Sequence, residues 1–234
     1  MKFPHSIQKI AEIESCFPQK FGVPRQPRLV SAAQGWVIIE PDYNREEAFR
    51  ELESFSHIWL LFVFHECVQE QWQPMIRPPR LGGNKKVGVF ASRSTFRPNS
   101  LGMSVVKLNS FTQRRGRIAL CVSELDLISG TPIIDIKPYL PYSDCINDAS
   151  QGYAPDPRHE QLQVVLSSQA QTQLKSFKKN YPNFEALIIQ VLSQDPRPSY
   201  KDAYDKSYGI TLYDVNIKWR VQGNNVFVES LKRV

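Results

Sequence analysis

Cysteine is scarce in this chain of 234 residues. The four, Cys16, Cys67, Cys121 and Cys145, never lie within ten residues of one another. With no C-x-x-C knuckle, neither a zinc site nor a disulfide framework is expected, and reduced thiols suit a cytoplasmic address. Long apolar runs are missing too. The longest, Ile58 to Phe64, has seven residues, against the roughly 20 that a membrane helix needs. The first sixteen residues carry Glu12 and Glu14 and no signal-peptide core. Neither G-x-G-x-x-G nor a P-loop occurs, so a Rossmann or Walker nucleotide site is not supported.

Acid is the most informative absence. From Gln71 to Ser123 there is no Asp or Glu, while the same 53 residues hold ten bases: Arg77, Arg80, Lys85, Lys86, Arg93, Arg97, Lys107, Arg114, Arg115 and Arg117. The chain carries +6 overall, so the rest of it is −4. A basic segment in an otherwise acidic protein is the footprint expected for phosphate or another polyanion. With 41% hydrophobic and 22% charged residues, the composition is that of a folded protein.

The first 150 residues read as mainly strand. Gly35 to Glu40, Val87 to Ala91, Gly102 to Phe111, Arg117 to Glu124 and Thr131 to Ile136 are strand candidates separated by Gly, Pro and Asn signals. Ile58 to Phe64 is apolar throughout and predicts a central strand buried on both faces. Arg45 to Glu53 reads as a helix, with Ala48, Phe49 and Leu52 on one side. Ser150 to Arg158 is rich in turn residues and marks a linker. Beyond it, Gln161 to Lys179 and Asn183 to Gln194 predict two helices. Thr211 to Val221 predicts a strand, followed by a Gln222-Gly223-Asn224-Asn225 turn into a hairpin. The expected architecture is mainly β: a barrel or sandwich over residues 1–150, then a small α+β unit over 151–234.

Three stretches have chemical potential. Arg77 to Gly102 combines stiffening prolines, glycines that admit a ligand, and forked arginine donors. His65 and Glu66 stand at the mouth of the apolar strand. Asp135 and Lys137 share one strand face by period two, either as a plain ion pair or as a site pair in which lysine tunes the aspartate. Pro24-Arg25-Gln26-Pro27 and Asp195-Pro196-Arg197-Pro198 are two further rigid arginine loops. No third ligand stands at metal spacing, so no metal is expected.

Together these stretches resemble the TsaA-like family, the TrmO type of tRNA methyltransferase. The resemblance rests on Pro24-Arg25-Gln26, Phe55 to His65, Arg77 to Gly83, Gly88-Val89-Phe90-Ala91, Phe96-Arg97-Pro98-Asn99, and Gly130-Thr131-Pro132 through Tyr139. Asp195 to Tyr200 resembles the family's bacterial C-terminal extension. The resemblance implies a single-sheeted β-barrel, S-adenosylmethionine as cofactor, a homodimer, and methylation of N6 of N6-threonylcarbamoyladenosine at tRNA position 37, beside the anticodon. It implies cofactor contacts from Pro24, Arg25, Gln26, His65, Glu66, Arg93, Leu101, Asp126, Leu127, Ile128 and Ser129. Two departures are visible. Ser129 stands where relatives often have Asp, and Ser100 stands where they often have Pro, which is expected only to loosen a loop.

The accepting N6 is urea-like and poorly nucleophilic, so a positioned base is expected, Asp135 first and His65 second. Lys137 or Arg25 is expected to orient the threonylcarbamoyl carboxylate. Arg77, Arg80, Lys85, Lys86, Arg97 and Arg197 are expected to hold phosphates of the anticodon loop. Lys175, Lys178 and Lys179 would extend the grip from the second unit, itself about +3. A non-catalytic RNA-binding protein and a small-molecule enzyme acting on an anionic substrate are the competing readings.

Overall fold

The computed structural model describes residues 6–67, 71–78, 81, 85–154, 161–197 and 206–234. Arg80, part of the linker and part of the Asp195-to-Tyr200 loop lie outside them. The N-terminal part is built on six strands: β1 Ala11–Ser15, β2 Gln34–Ile39, β3 His57–Val63, then, past a two-stranded ribbon of β4 Met75–Ile76 and β5 Val87–Gly88, β6 Leu101–Arg114, β7 Arg117–Ser123 and β8 Pro132–Pro138. All their pairings are antiparallel, in the order β1-β2-β7-β6-β3-β8. Because β8 pairs back onto β1 (Ala11 opposite Ile133), the sheet closes on itself.

Closure explains β3. The strand is paired on both sides, to β6 and β8, but it is not buried on both faces as expected. Ile58, Leu60 and Phe62 enter the core, whereas Trp59, Leu61 and Val63 are only half-buried. A closed sheet has one inside and one outside. The second apolar set faces outward beside Val105, Met103 and Leu101, their register partners on β6.

The β6–β7 hairpin turns at Arg115 (φ 53°) and Gly116 (φ 73°), a pair of left-handed residues whose twist matches the flanking strands. The helix expected over Arg45 to Glu53 is replaced by two 3-10 turns, Glu46–Phe49 and Leu52–Ser54. Glu51 breaks the run at φ 68°, and a continuous helix would set Glu47 against Glu51 one turn on. Phe49 packs edge-on to Phe111, 6.3 Å between centroids. Val87 to Ala91 is a two-residue strand plus a 3-10 turn rather than one strand. β1 has no counterpart among the expected strands.

A short helix, α1 Pro141–Asp144, precedes the second unit. There, β9 Gln163–Leu166 is a strand where a helix start was expected. It pairs parallel to β12, and only then does α2 Ser168–Phe177 begin. Ser167 caps α2, its Oγ accepting from the Ala170 N–H at 3.1 Å. α3 Phe184–Ser193 follows, burying Leu187, Ile188, Val191 and Leu192. The expected strand over Thr211 to Val221 is two strands, β10 Ser207–Leu212 and β11 Val215–Gln222, joined at Tyr213 and Asp214. Tyr213 takes φ 54°, a bulky residue where a turn signal would be glycine. The foreseen hairpin into β12 Asn225–Arg233 is present.

One continuous apolar core joins both sheets, from Ile13 and Val37 through Leu187 and Val191 to Trp219. The Gln190 carboxamide accepts from the Ala32 N–H at 2.9 Å, and the Tyr213 N–H donates to the Cys16 carbonyl at 2.9 Å. At Gly22 (φ 94°) a Cβ would collide with the Ile210 side chain, so the loop before Pro24 lies directly against β10.

Candidate functional site

Antiparallel pairing places the end of β3 beside the start of β6 (Val63 opposite Leu101). The turn after β3, the residues after β7 and the loops over residues 20–26 and 92–97 converge on that rim. They enclose a cavity of about 500 Å³, within the range of sites for drug-sized ligands. Every residue implied as a cofactor contact lines it except Ser129: Pro24, Arg25, Gln26, His65, Glu66, Arg93, Leu101, Asp126, Leu127 and Ile128. Ser129 is turned to the backbone instead. Its Oγ accepts from the Ser15 N–H at 3.3 Å, and its own N–H donates to the Phe17 carbonyl at 2.8 Å.

Apolar walls come from Phe62 and Phe64, whose rings meet edge to face at 5.2 Å. Gly102, opposite Phe62 in the ladder, makes this possible, because a Cβ there would overlap the Phe62 ring and stand 2.8 Å from the Phe64 ring. Ser100 holds the entry to β6 at φ 47° and accepts the Phe64 N–H at 2.8 Å. A proline, fixed near φ −65°, does not fit this backbone, so Ser100 sets the loop's conformation rather than merely loosening it.

The polar groups of the cavity are organised in pairs. Asp126 remains accessible from the cavity, but protein crowds its carboxyl on nearly all sides. Ser104 donates to its Oδ1 at 2.7 Å. Burial lifts this carboxyl to a pKa of about 6, against the opposing pull of the Ser104 hydrogen bond and the Arg93 guanidinium. Arg93 donates to the Gln26 carboxamide. Lys20 donates to the Glu66 carbonyl at 2.7 Å, with its ammonium 3.5 Å from the Glu66 carboxylate. Arg97 donates to the carbonyls of Val89 (3.3 Å) and Ser92 (2.7 Å). His65 lines the same space, 4.0 Å from where a Cβ of Gly130 would stand.

Asp135 and Lys137 do not line the cavity. They form an ion pair of 3.0 Å on β8, 43% and 61% exposed, and their register partners on β3 are Leu61 and Trp59. Among the expected phosphate-binding residues, Arg77, Lys85 and Lys86 flank the β4–β5 ribbon, Lys85 and Lys86 being exposed. Arg197 is forked onto Asp195, both bonds 2.8 Å, so gripping a phosphate would mean giving up that pair. Lys178 pairs with Glu185 at 2.8 Å.

The acid-free segment does not form one basic face. Arg114 and Arg115 reach Glu14 (3.2 and 3.4 Å), and Arg117 reaches Glu40 (3.3 Å). The cations of that segment that line the cavity are Arg93 and Arg97. In the cavity wall, Lys20 and Ser104 stand in none of the stretches singled out from the sequence for the site, whereas Gly102 and Thr131 lie inside two of them. Ser104 carries no local signal, because its partner Asp126 is brought to it only by the β6–β7 pairing.

A cation-bearing adenosine cofactor fits these residues. The buried Asp126 carboxyl suits a sulfonium or ammonium, Arg25 and Arg93 suit a carboxylate, and the Phe62 and Phe64 rings suit a heterocycle. Among the described residues no cluster of three or more His, Cys, Asp or Glu could hold a metal ion, and no helix is long and apolar enough to cross a membrane.

Comparison with known proteins agrees over most of the chain. Residues 12–145 match the tRNA-methyltransferase O N-terminal domain, and residues 159–234 match the TrmO C-terminal domain. The chain is 45% identical over 217 residues to a tRNA (adenine(37)-N6)-methyltransferase of Escherichia coli strain K12, with 92% of each chain covered. It is 44% identical, again over 92% of each, to a protein of Pseudomonas aeruginosa named a putative S-adenosylmethionine-dependent methyltransferase. A crystal structure of TrmO from Pseudomonas aeruginosa superposes with a TM-score of 0.81 at 36% identity, covering 98% of this chain and 100% of that one.

Proposed function

The chain belongs to the tRNA-methyltransferase O family, and we propose that, as an S-adenosylmethionine-dependent tRNA (adenine-N6)-methyltransferase, it methylates N6 of N6-threonylcarbamoyladenosine at position 37. The observation that carries this reading is the rim cavity. Segments from residues 20–26, 62–67, 92–104 and 126–131 meet there around a buried carboxyl and a set of arginines. The closed antiparallel sheet supports the family's single-sheeted barrel, with residues 1–150 as the catalytic unit and 151–234 as an extension that adds grip on tRNA.

When bound, S-adenosylmethionine supplies an electrophilic methyl on a sulfonium. The chain's own residues bind, orient and exclude water. Asp126, held by Ser104, offers negative charge in a low-dielectric wall, where it counts for more than in water. Arg25 and Arg93 offer forked donors to a carboxylate. Two residues compete to take the N6 proton. Membership of the cavity wall favours His65. Asp135 lies on the outer face and would act beside a second copy, with Lys137 orienting the threonylcarbamoyl carboxylate.

A homodimer is supported by that same outer face. Met103 is 56% and Leu101 37% exposed; with Trp59 and Val63 they border the open side of the cavity, and the strip continues onto Leu61, a larger apolar surface than a lone residue presents. tRNA sets the expected address, the cytoplasm.

Mass spectrometry of nucleosides from tRNA incubated with protein and cofactor tests the assignment. A methyl group on the threonylcarbamoyl nucleoside is expected, and methylation of unmodified adenosine alone would overturn the substrate assignment. Single-turnover rates of His65→Gln and Asp135→Asn separate the two bases. The true base loses about 10²-fold or more, with cofactor affinity nearly unchanged.

A further inference from the structure

Two large aromatic side chains stand outside the core and outside the cavity wall. Trp72 is 47% and Phe90 71% exposed, and their rings stack on each other at 6.0 Å and 27°. This exposure does not come from loose chain. Val89, next to Phe90, is buried, and its N–H donates to the Pro74 carbonyl at 3.0 Å. The Gln73 N–H donates to the Phe96 carbonyl at 3.4 Å, and Met75 and Ile76 pair with Gly88 and Val87. The backbone that follows Trp72 and the backbone that precedes Phe90 are therefore pinned.

The ribbon has two chemically different ends. Arg77 directly follows β4 and Lys86, with Lys85, directly precedes β5, so antiparallel pairing brings these bases to one end. Trp72 and Phe90 lie beyond the other. The Arg97 guanidinium, tied to the Val89 and Ser92 carbonyls, sits 5.9 Å over the Phe90 ring and also lines the cavity. An aromatic surface thus continues from the cavity rim toward a cluster of cations, in a stretch of sequence with no carboxylate.

Such interleaving matches single-stranded nucleic acid: aromatic rings stack bases while nearby cations meet the backbone. An acidic peptide would use the cations and leave the stacked rings without a purpose. The geometry points to Trp72 and Phe90 as a stacking platform for an unpaired base of the anticodon loop, flanking the adenosine that enters the cavity. The inference rests on the tRNA substrate proposed above. It assigns the nucleobase contact to the ribbon's aromatic end and the phosphate contact to Arg77, Lys85 and Lys86.

Binding of a fluorescent 17-nucleotide anticodon stem-loop, measured by anisotropy at two salt concentrations, tests this. Trp72→Ala with Phe90→Ala is expected to weaken binding roughly 5- to 150-fold, the size of one to three kcal/mol per stacked base. The salt dependence should stay as in the wild type, because no phosphate contact is lost. Trp72→Phe, which keeps a π-face, should recover most of the affinity. Arg77→Gln with Lys86→Gln should instead flatten the salt dependence. A loop with abasic nucleotides either side of position 37 should bind the double-alanine variant and the wild type nearly alike. Unchanged RNA affinity in the double-alanine variant would overturn the proposal. So would its conversion from dimer to monomer in sedimentation, since the rings would then belong to an interface with a second copy. Wild-type methylation, measured in parallel, reads the functional assignment separately: RNA affinity lost in the variant without methylation by the wild type would sink that assignment and leave the platform standing.

Discussion

Replacing Asp126 by Asn should make the cofactor-free protein more stable and the enzyme worse. The Asp126 carboxyl is lifted to about 6, while an unfolded chain would hold it near 4. Well below pH 4 both states are protonated, and burial costs little. Between about pH 4 and 6 the unfolded chain releases its proton and the folded chain keeps it, so stability falls as pH rises. Above about 6 the loss is complete and constant. Two pKa units correspond to about 3 kcal/mol. The cavity admits water beside this carboxyl, so about half of that is the better expectation. Asparagine keeps an oxygen for the Ser104 hydroxyl (2.7 Å in the wild type) and carries no charge. The variant should therefore match the wild type near pH 4 and exceed it by roughly 1 to 2 kcal/mol at pH 7.5. In thermal unfolding that is roughly 2 to 8 °C for a chain of this size. Calorimetry from pH 4 to 8, with cofactor titrations at each pH, reads both effects. A cationic cofactor should bind the wild type more tightly as pH rises through about 6, and the variant should lose that dependence. A melting-point difference that stays flat across the range, or a variant that falls below the wild type as pH rises, would refute the reasoning.

Other positions yield simpler expectations. Gly102→Ala forces the Phe62 and Phe64 rings apart and should cost about 1 to 3 kcal/mol in urea unfolding, with loss of cofactor binding. Gln190→Ala removes the carboxamide that accepts from Ala32 and pairs with Ser31. It should cost about 1 to 2 kcal/mol and raise amide exchange where the two sheets meet. Burial pushes the Cys16 thiol up to about 12, so a thiol reagent at pH 8 should label exposed Cys145 first and Cys16 only after unfolding.

Most of the strand content is legible because strands leave a local trace. Gln34–Ile39, Arg117–Ser123 and Pro132–Pro138 fall close to their expected limits. The errors share a cause: local pattern met a tertiary demand. Gln163–Leu166 resembles a helix start, yet it completes a sheet as the parallel partner of β12. Tyr213 turns the chain without a glycine, and stacks on Tyr181 at 4.1 Å as it does so. The apolar run of β3 fits burial on both faces until the sheet closes and leaves one of them outside. For the site, the motif residues converge because the end of β3, the start of β6, the residues after β7 and the loops over residues 20–26 and 92–97 meet at one rim, whereas Ser129 is turned to Ser15 and Phe17 by hydrogen bonds that no spacing rule anticipates.

By itself, the sequence determined the family, the mainly β character, and the long segment empty of carboxylates. These are properties of order along the chain, and they survive in any conformation. What that segment does was decided only in three dimensions. Register across the closed sheet brings Glu14 and Glu40 to Arg114, Arg115 and Arg117, while Arg93 and Arg97 remain at the cavity. The same register sets Ser104 against Asp126 and Gly102 under Phe62. Charge neutralisation and carboxyl burial act over a few ångströms, and strand pairing sets those distances between residues far apart in the chain.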